Sequence, residues 1–173
     1  KRQIATALYD PRDRIVARVL GKGQLRLDTA WFETKLRQAD VLREQALLEE
    51  TSAYRLVNGE GDGLPGLTVD RYGDYLMVQL YSAAWDAHLP ALTKALQQVY
   101  QPLGIYRKLR PQETRQLEAK RKTKAYSKVI AGEAAPVPLT VQENGLDYQV
   151  DLREGLNTGM FPDLRCNRRE LMA

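Results

Sequence analysis

The chain carries one cysteine, Cys166, and one histidine, His88. A single cysteine excludes an internal disulfide, which suits a reducing compartment. One histidine and no cysteine cluster leave no zinc ligand set, so no metal site is expected. A Ser/His/Asp triad would have to use His88, and no nucleophile elbow is present. His88, beside Leu89 and Pro90, reads as an ordinary core or surface histidine. No apolar run approaches the ~20 residues of a membrane span, and no signal-peptide pattern opens the chain. Internal repeats and low-complexity tracts are absent too. Lys1 is not an initiator methionine, and Asn167 to Ala173 read as the first turns of a helix with no stop signal. We therefore expect a segment of a longer protein.

What is present is a glycine-rich stretch in a chain of 173 residues, long enough for one medium domain or one domain with pieces of its neighbours. Gly59, Gly61, Gly63, Pro65 and Gly66 fall within eight residues. Glycine at this density marks backbone conformations that other residues avoid. Gly61 to Gly66 also matches G-x-G-x-x-G. A dinucleotide loop would need a helix next, whereas the strand-like Leu67 to Tyr72 follows and Pro65 removes a donor. The stretch is therefore read as strand, tight structural loop, strand.

The remaining elements follow from periodicity and turn chemistry. Ile4–Tyr9 and Arg14–Leu20 flank the turn Asp10-Pro11-Arg12-Asp13 as two strands. Asp28 caps a helix reaching to about Glu50, with Phe32, Leu36, Ala39, Leu42 and Ala46 as its apolar face and Arg37 and Arg43 on a solvated side. Gly73-Asp74 forms a type II′ hairpin turn before the strand Tyr75–Tyr81. Residues 84–100 form a helix lined by Trp85, Leu89, Leu92, Leu96 and Val99, and Gly104–Leu109 return as a strand. A polar helix spans Glu113 to about Tyr126. Gly132 to Pro138 connect onward, and Asn144-Gly145 close a type I′ hairpin within 139–152. This order predicts an α/β (α+β) two-layer sandwich with a mixed sheet.

Charge is localised. The net charge is +4, yet Arg107 to Lys128 hold nine Lys/Arg and two Glu, a balance of +7, which leaves −3 elsewhere. Arg107, Lys108, Arg110, Lys120, Arg121, Lys122, Lys124 and Lys128, with Tyr106 and Tyr126 near the ends, form a candidate nucleic-acid footprint. A solvated helical face is the simpler alternative. Cys166 lies among Arg165, Arg168 and Arg169, which would favour a thiolate, but no base or orienting group accompanies it. Glu60, Asp62 and Asp70 could form a metal or acid/base pair. Carboxylates near loops more often bond loop amides or a nearby arginine such as Arg55 or Arg71.

Three segments then carry a family resemblance. Arg55 to Gly73 resembles the middle-domain signature of the S-adenosylmethionine-dependent large-subunit rRNA methyltransferase I family, which forms 5-methylcytosine. Ala7 to Leu20 is similar to the end of that family's PUA domain, an RNA-binding β-barrel. Asn157 to Arg168 is similar to the segment that leads into its Rossmann-like catalytic domain. The resemblance implies three parts. Residues 1–27 would be the last strands of a PUA-like domain, 28–136 the middle domain, and 137–173 the hairpin and opening of the methyltransferase domain. It implies S-adenosylmethionine as the parent's cofactor, with Phe161, Asp163, Arg165 and Asn167 bordering its cleft, ribosomal RNA as partner, and a cytoplasmic setting. The family's methyl-donor loop and nucleophilic cysteine lie downstream of residue 173. No catalytic residue is expected here, and the fragment alone should be inactive and bind no methyl donor. Pro162 and Leu164 depart from the family pattern, which more often has Gln at the latter. The alternative is a free-standing RNA-binding or interaction module, and a homodimerisation domain is a third reading.

Overall fold

The computed structural model describes residues 3–45, 50–109, 126–154 and 158–172. Two antiparallel strands, β1 (Ala5–Tyr9) and β2 (Ala17–Lys22), open it as expected. Their connecting turn is docked rather than free. Buried Asp10 accepts hydrogen bonds from Ser82 Oγ at 2.8 Å and from Ala83 N–H at 2.9 Å.

Helix α1 (Thr29–Gln45) begins where Asp28 Oδ1 accepts from the Trp31 N–H at 3.0 Å, the predicted cap. Phe32, Leu36 and Ala39 are buried on its inner face. Leu42, expected in that stripe, is instead 52% exposed. The inward positions run 32, 36, 39, 43, so the next inward side chain is Arg43. Ala46 lies outside the described residues.

The sheet has five strands in sequential order: β3 (Ala53–Asn58), β4 (Leu67–Tyr72), β5 (Tyr75–Leu80), β6 (Gly104–Lys108) and β7 (Ser127–Gly132). Only the β5–β6 pair is parallel. Its crossover holds a 3₁₀ segment, Ala83–His88, and α2 (Leu89–Tyr100), where one continuous helix was expected. Gly73 at φ 58° fits the predicted II′ turn. Strand β7 fills the gap that sequence reading leaves between the basic helix, ending at about Tyr126, and the connection that starts at Gly132. Of that helix's predicted span, Glu113 to about Tyr126, residues 113–125 lie outside the described residues. The β6–β7 edge needs glycine twice. A Cβ on Gly104 would lie 2.0 Å from the Glu133 carbonyl oxygen, and one on Gly132 would lie 2.1 Å from that of Leu103.

The sheet is covered on both faces. On the first, α1 and α2 bury Phe32, Leu36, Leu92 and Leu96 against Leu56, Val69, Leu76, Val78 and Ile105, and Leu8 and Leu20 of the β1–β2 hairpin join the same core. On the second, β8 (Leu139–Glu143) and β9 (Leu146–Val150) bury Leu139, Val141 and Val150 against Ala53, Tyr72, Tyr75, Met77 and Tyr106. Positive φ at Asn144 (50°) and Gly145 (78°) matches the predicted I′ turn. Gln142 N–H donates to Ser52 Oγ at 2.9 Å and Ser52 N–H to the Gln142 carbonyl at 2.8 Å, which fixes the hairpin to the start of β3.

The glycine-rich loop is structural. Residues Gly59–Asp62 make a 3₁₀ turn, and Gly63 (φ 68°) and Gly66 (φ 74°) lie in the left-handed region. Asp62 accepts two hydrogen bonds from Arg43, at 2.8 and 2.6 Å, and one from the Asn58 N–H. Arg43 is thus the loop's half-buried cation, not part of a solvated face. Leu64 is fully buried, and Trp85 Nε1 donates to the Pro65 carbonyl at 3.0 Å.

Candidate nucleic-acid interface

Strand register sorts the second face into three rows across the strands, because directly paired residues project to the same side. The first row is Ala53, Tyr72, Tyr75 and Gly104, the second is Arg55, Asp70, Met77 and Tyr106, and the third is Asn58, Thr68, Gln79, Lys108 and Ser127. Polarity rises from row to row. The first lies under the β8–β9 hairpin, the second is half apolar, and the third is polar throughout.

The second and third rows border a cleft of about 110 Å³, lined on the sheet side by Arg55, Asp70, Gln79 and Lys108 and opposite them by Thr158, Phe161 and Asp163. Arg55 Nε donates to Asp70 Oδ1 at 2.8 Å. Burial raises the Asp70 carboxyl above its usual range, against the pull of Arg55, and Asp163 adds a like charge nearby. Tyr72 and Thr158 share a hydrogen bond of 2.9 Å at the cleft floor, and burial pushes the Tyr72 phenol up to about 12. Lys108 is 8% exposed, and burial lowers its ammonium's pKa, partly countered by Asp151.

The far wall is held by a joint that sequence reasoning missed. Arg168, in α3 (Arg165–Met172), donates to both carboxylate oxygens of Glu143, at 2.7 and 2.9 Å, and to the Phe161 carbonyl at 2.7 Å. Glu143 is fully buried at the end of β8. The pair fixes residues 161–168 to the hairpin, and the hairpin to the sheet. Within the sequence, the only hint was an acid next to an Asn-Gly turn.

The predicted site residues divide. Phe161 and Asp163 line the cleft and are exposed, whereas Arg165 and Asn167 sit on α3 outside its lining. Arg107 lies on the helix side of the sheet with its guanidinium on Asp86 at 2.7 Å, beside exposed Lys128. Lys108 projects to the opposite side, so the three described basic residues do not share one surface. Arg110, Lys120, Arg121, Lys122 and Lys124 lie outside the described residues. Cys166 is an exposed free thiol, and His88 edges Trp85 at 6.2 Å between ring centroids. Asp62 is held by Arg43, and Arg71 donates to the Gly73 carbonyl at 2.9 Å. Among the described residues no cluster of three or more His, Cys, Asp or Glu could hold a metal, and no helix is long and apolar enough to cross a membrane.

No family model matches the chain. It is similar to a ribosomal RNA large subunit methyltransferase of Deinococcus radiodurans, with 34% identity over 98% of this chain and 43% of that protein. It is also similar to a ribosomal RNA large subunit methyltransferase I of Yersinia pestis, with 36% identity over 95% of this chain and 41% of the relative. Among solved structures, a Streptococcus mutans protein assigned to the SAM-dependent methyltransferases superposes with a TM-score of 0.82 at 30% identity, covering 98% of this chain and 42% of that one. A second methyltransferase structure, in complex with SAH, superposes with a TM-score of 0.83 at 30% identity and the same coverage. Over almost its whole length, this chain is homologous to large-subunit rRNA methyltransferases, and it spans about two-fifths of the length of the relatives that it matches.

Proposed function

We propose that this chain is the RNA-positioning middle portion of an S-adenosylmethionine-dependent rRNA methyltransferase that acts on cytosine C5. Residues 1–27 end a PUA-like domain, 28–136 form the middle domain, and 137–173 open the catalytic domain. The observation that carries this reading is the polar row Asn58–Thr68–Gln79–Lys108, which on the second face follows an apolar row and a mixed row and ends beside an open cleft. Edge-on hydrogen-bonding groups with exposed aromatic rings nearby, Phe161 and Tyr81, are what an unpaired RNA strand uses. The setting is cytoplasmic and the partner is ribosomal RNA. Self-association into a homodimer is a separate property, read by sedimentation.

S-adenosylmethionine, when bound to the parent enzyme, supplies the methyl group. Phe161 and Asp163 on the cleft wall, with Arg165 and Asn167 on the adjoining helix, would form one border of its site, Phe161 offering an exposed ring and Asp163 an exposed carboxylate. The cleft beside them, about 110 Å³, is well below the ~300–1,000 Å³ of an enclosing ligand pocket. This chain therefore contributes a wall, and the chemistry belongs to the remainder of the parent.

Two measurements test the role. Neutralising Lys120, Arg121, Lys122, Lys124 and Lys128 together should weaken binding to rRNA fragments and flatten its salt dependence. Unchanged affinity and slope would reduce the basic segment to a solvated face. Calorimetry should give no S-adenosylmethionine binding to this chain, and micromolar binding would contradict the division of labour. A free-standing module would instead keep its RNA affinity with no methyltransferase domain in the parent gene.

A further inference from the structure

A hollow of about 330 Å³ lies between β2 and the glycine-rich loop, at the end of the polar row. Arg18, Asn58, Glu60, Gly66, Thr68 and Tyr81 line it. Two of its walls contain buried polar atoms without a hydrogen-bond partner among the described residues. One is Arg18 Nε and the other is Thr68 Oγ1, on residues only 9% and 8% exposed. An orphaned buried donor or hydroxyl is costly, and native proteins rarely keep one without a use.

The arrangement is built. Arg18 is locked by the Ile15 carbonyl, at 3.0 Å from Nη1, and by Asp13, also at 3.0 Å. Its stem and Nε lie across Gly66, where a Cβ would come 2.9 Å from Nε. Gly66 has φ 74°, so glycine both permits the loop and leaves the guanidinium its place. Tyr81 follows the row along β5, is 38% exposed, and donates its backbone N–H to the Gly66 carbonyl at 2.9 Å. Asn58, an exposed residue, also borders the hollow.

Charge decides the ligand class. Asp13 neutralises Arg18, and exposed Glu60 would repel a phosphate. What remains is an aromatic face, a carboxylate acceptor, an amide, a hydroxyl and one N–H, the complement of a nucleobase edge. The volume is at the low end of small-ligand sites, enough for one base and not for a helix. We infer that this hollow is a subsite for one unpaired nucleobase of the RNA strand, an assignment that rests on the RNA-positioning role above.

The test is a ¹H–¹⁵N NMR titration of the chain with cytidine monophosphate, with ribose 5-phosphate as a base-free control, and with a single-stranded RNA pentamer. The nucleotide and the pentamer should shift the amides of Arg18, Gly66, Thr68 and Tyr81, and ribose 5-phosphate should not. Thr68→Val, which keeps the side-chain shape, should weaken pentamer binding about threefold to tenfold. Tyr81→Leu should weaken it about fivefold or more. Equal shifts with ribose 5-phosphate would make this an anion site and overturn the assignment. Pentamer binding that shifts only other parts of the second face would overturn the subsite and leave the RNA-positioning role standing. No pentamer binding at all would overturn both.

Discussion

The two faces of the sheet are built to different rules. On the helix side, Leu56, Val57, Leu67, Val69, Leu76, Val78, Leu80 and Ile105 are all buried in one apolar core. On the other side, the strands carry an apolar row, then a mixed row holding the Arg55–Asp70 pair, then a polar row with a buried lysine. Folding stability alone would favour extending the apolar pattern, because a buried charge must be compensated and a buried leucine need not be. The first face explains why the chain folds. The second face departs from that logic where the cleft opens, and such departures concentrate at functional sites.

Breaking the first face should have the largest effect. Leu56→Ala leaves a void among fully buried neighbours and should cost about 4 kcal/mol in urea denaturation. RNA affinity, measured where the variant is still folded, should be unchanged. Arg43→Ala comes next, since it strands the Asp62 carboxylate, whose side chain is 2% exposed while Arg43 is 16% exposed. Allowing for that partial exposure, about 2–3 kcal/mol should be lost. Tyr72→Phe removes only the bond to Thr158 at the boundary between the rows and should cost about 1 kcal/mol.

The third row should invert this pattern. Gln79→Leu should change stability by less than about 0.5 kcal/mol and still lower affinity for a single-stranded rRNA fragment about tenfold. If stability and affinity fall together there, the contrast between the faces is lost. Lys108→Met gives the smallest effect and a pH signature. Burial lowers the Lys108 pKa below its ordinary 10.5, so in that window the unfolded chain binds the proton more tightly than the folded one. Folding stability from this group therefore rises as pH climbs towards 10.5, and Lys108→Met should flatten that rise in thermal melts taken at several pH values.

The sequence made some of this legible and hid the rest for physical reasons. Local chemistry showed where local chemistry decides: the Asp28 cap, the II′ and I′ turns at Gly73 and Asn144-Gly145, and strand β4 at Leu67–Tyr72. Long-range pairing was hidden. Arg43 looked like a surface charge because its acid lies 19 residues away, and Lys108 looked like part of a basic surface because alternation put Arg107 and Lys108 on opposite faces. Strand β7 has only two β-branched residues before a glycine, too short a signal beside a charged run. The second face was only partly legible: the resemblance pointed to Phe161 and Asp163, which line the cleft, whereas Asn58, Thr68 and Gln79 become one row only through strand register.

The most direct test of the second-face account is ultraviolet cross-linking of a 4-thiouridine-labelled rRNA fragment to the chain, with adducts mapped by mass spectrometry. The account predicts adducts at Tyr81, just past the polar row on β5, and at Phe161, on the opposite wall of the cleft. Adducts confined to Trp31 and Tyr100, on the helix side, would contradict it.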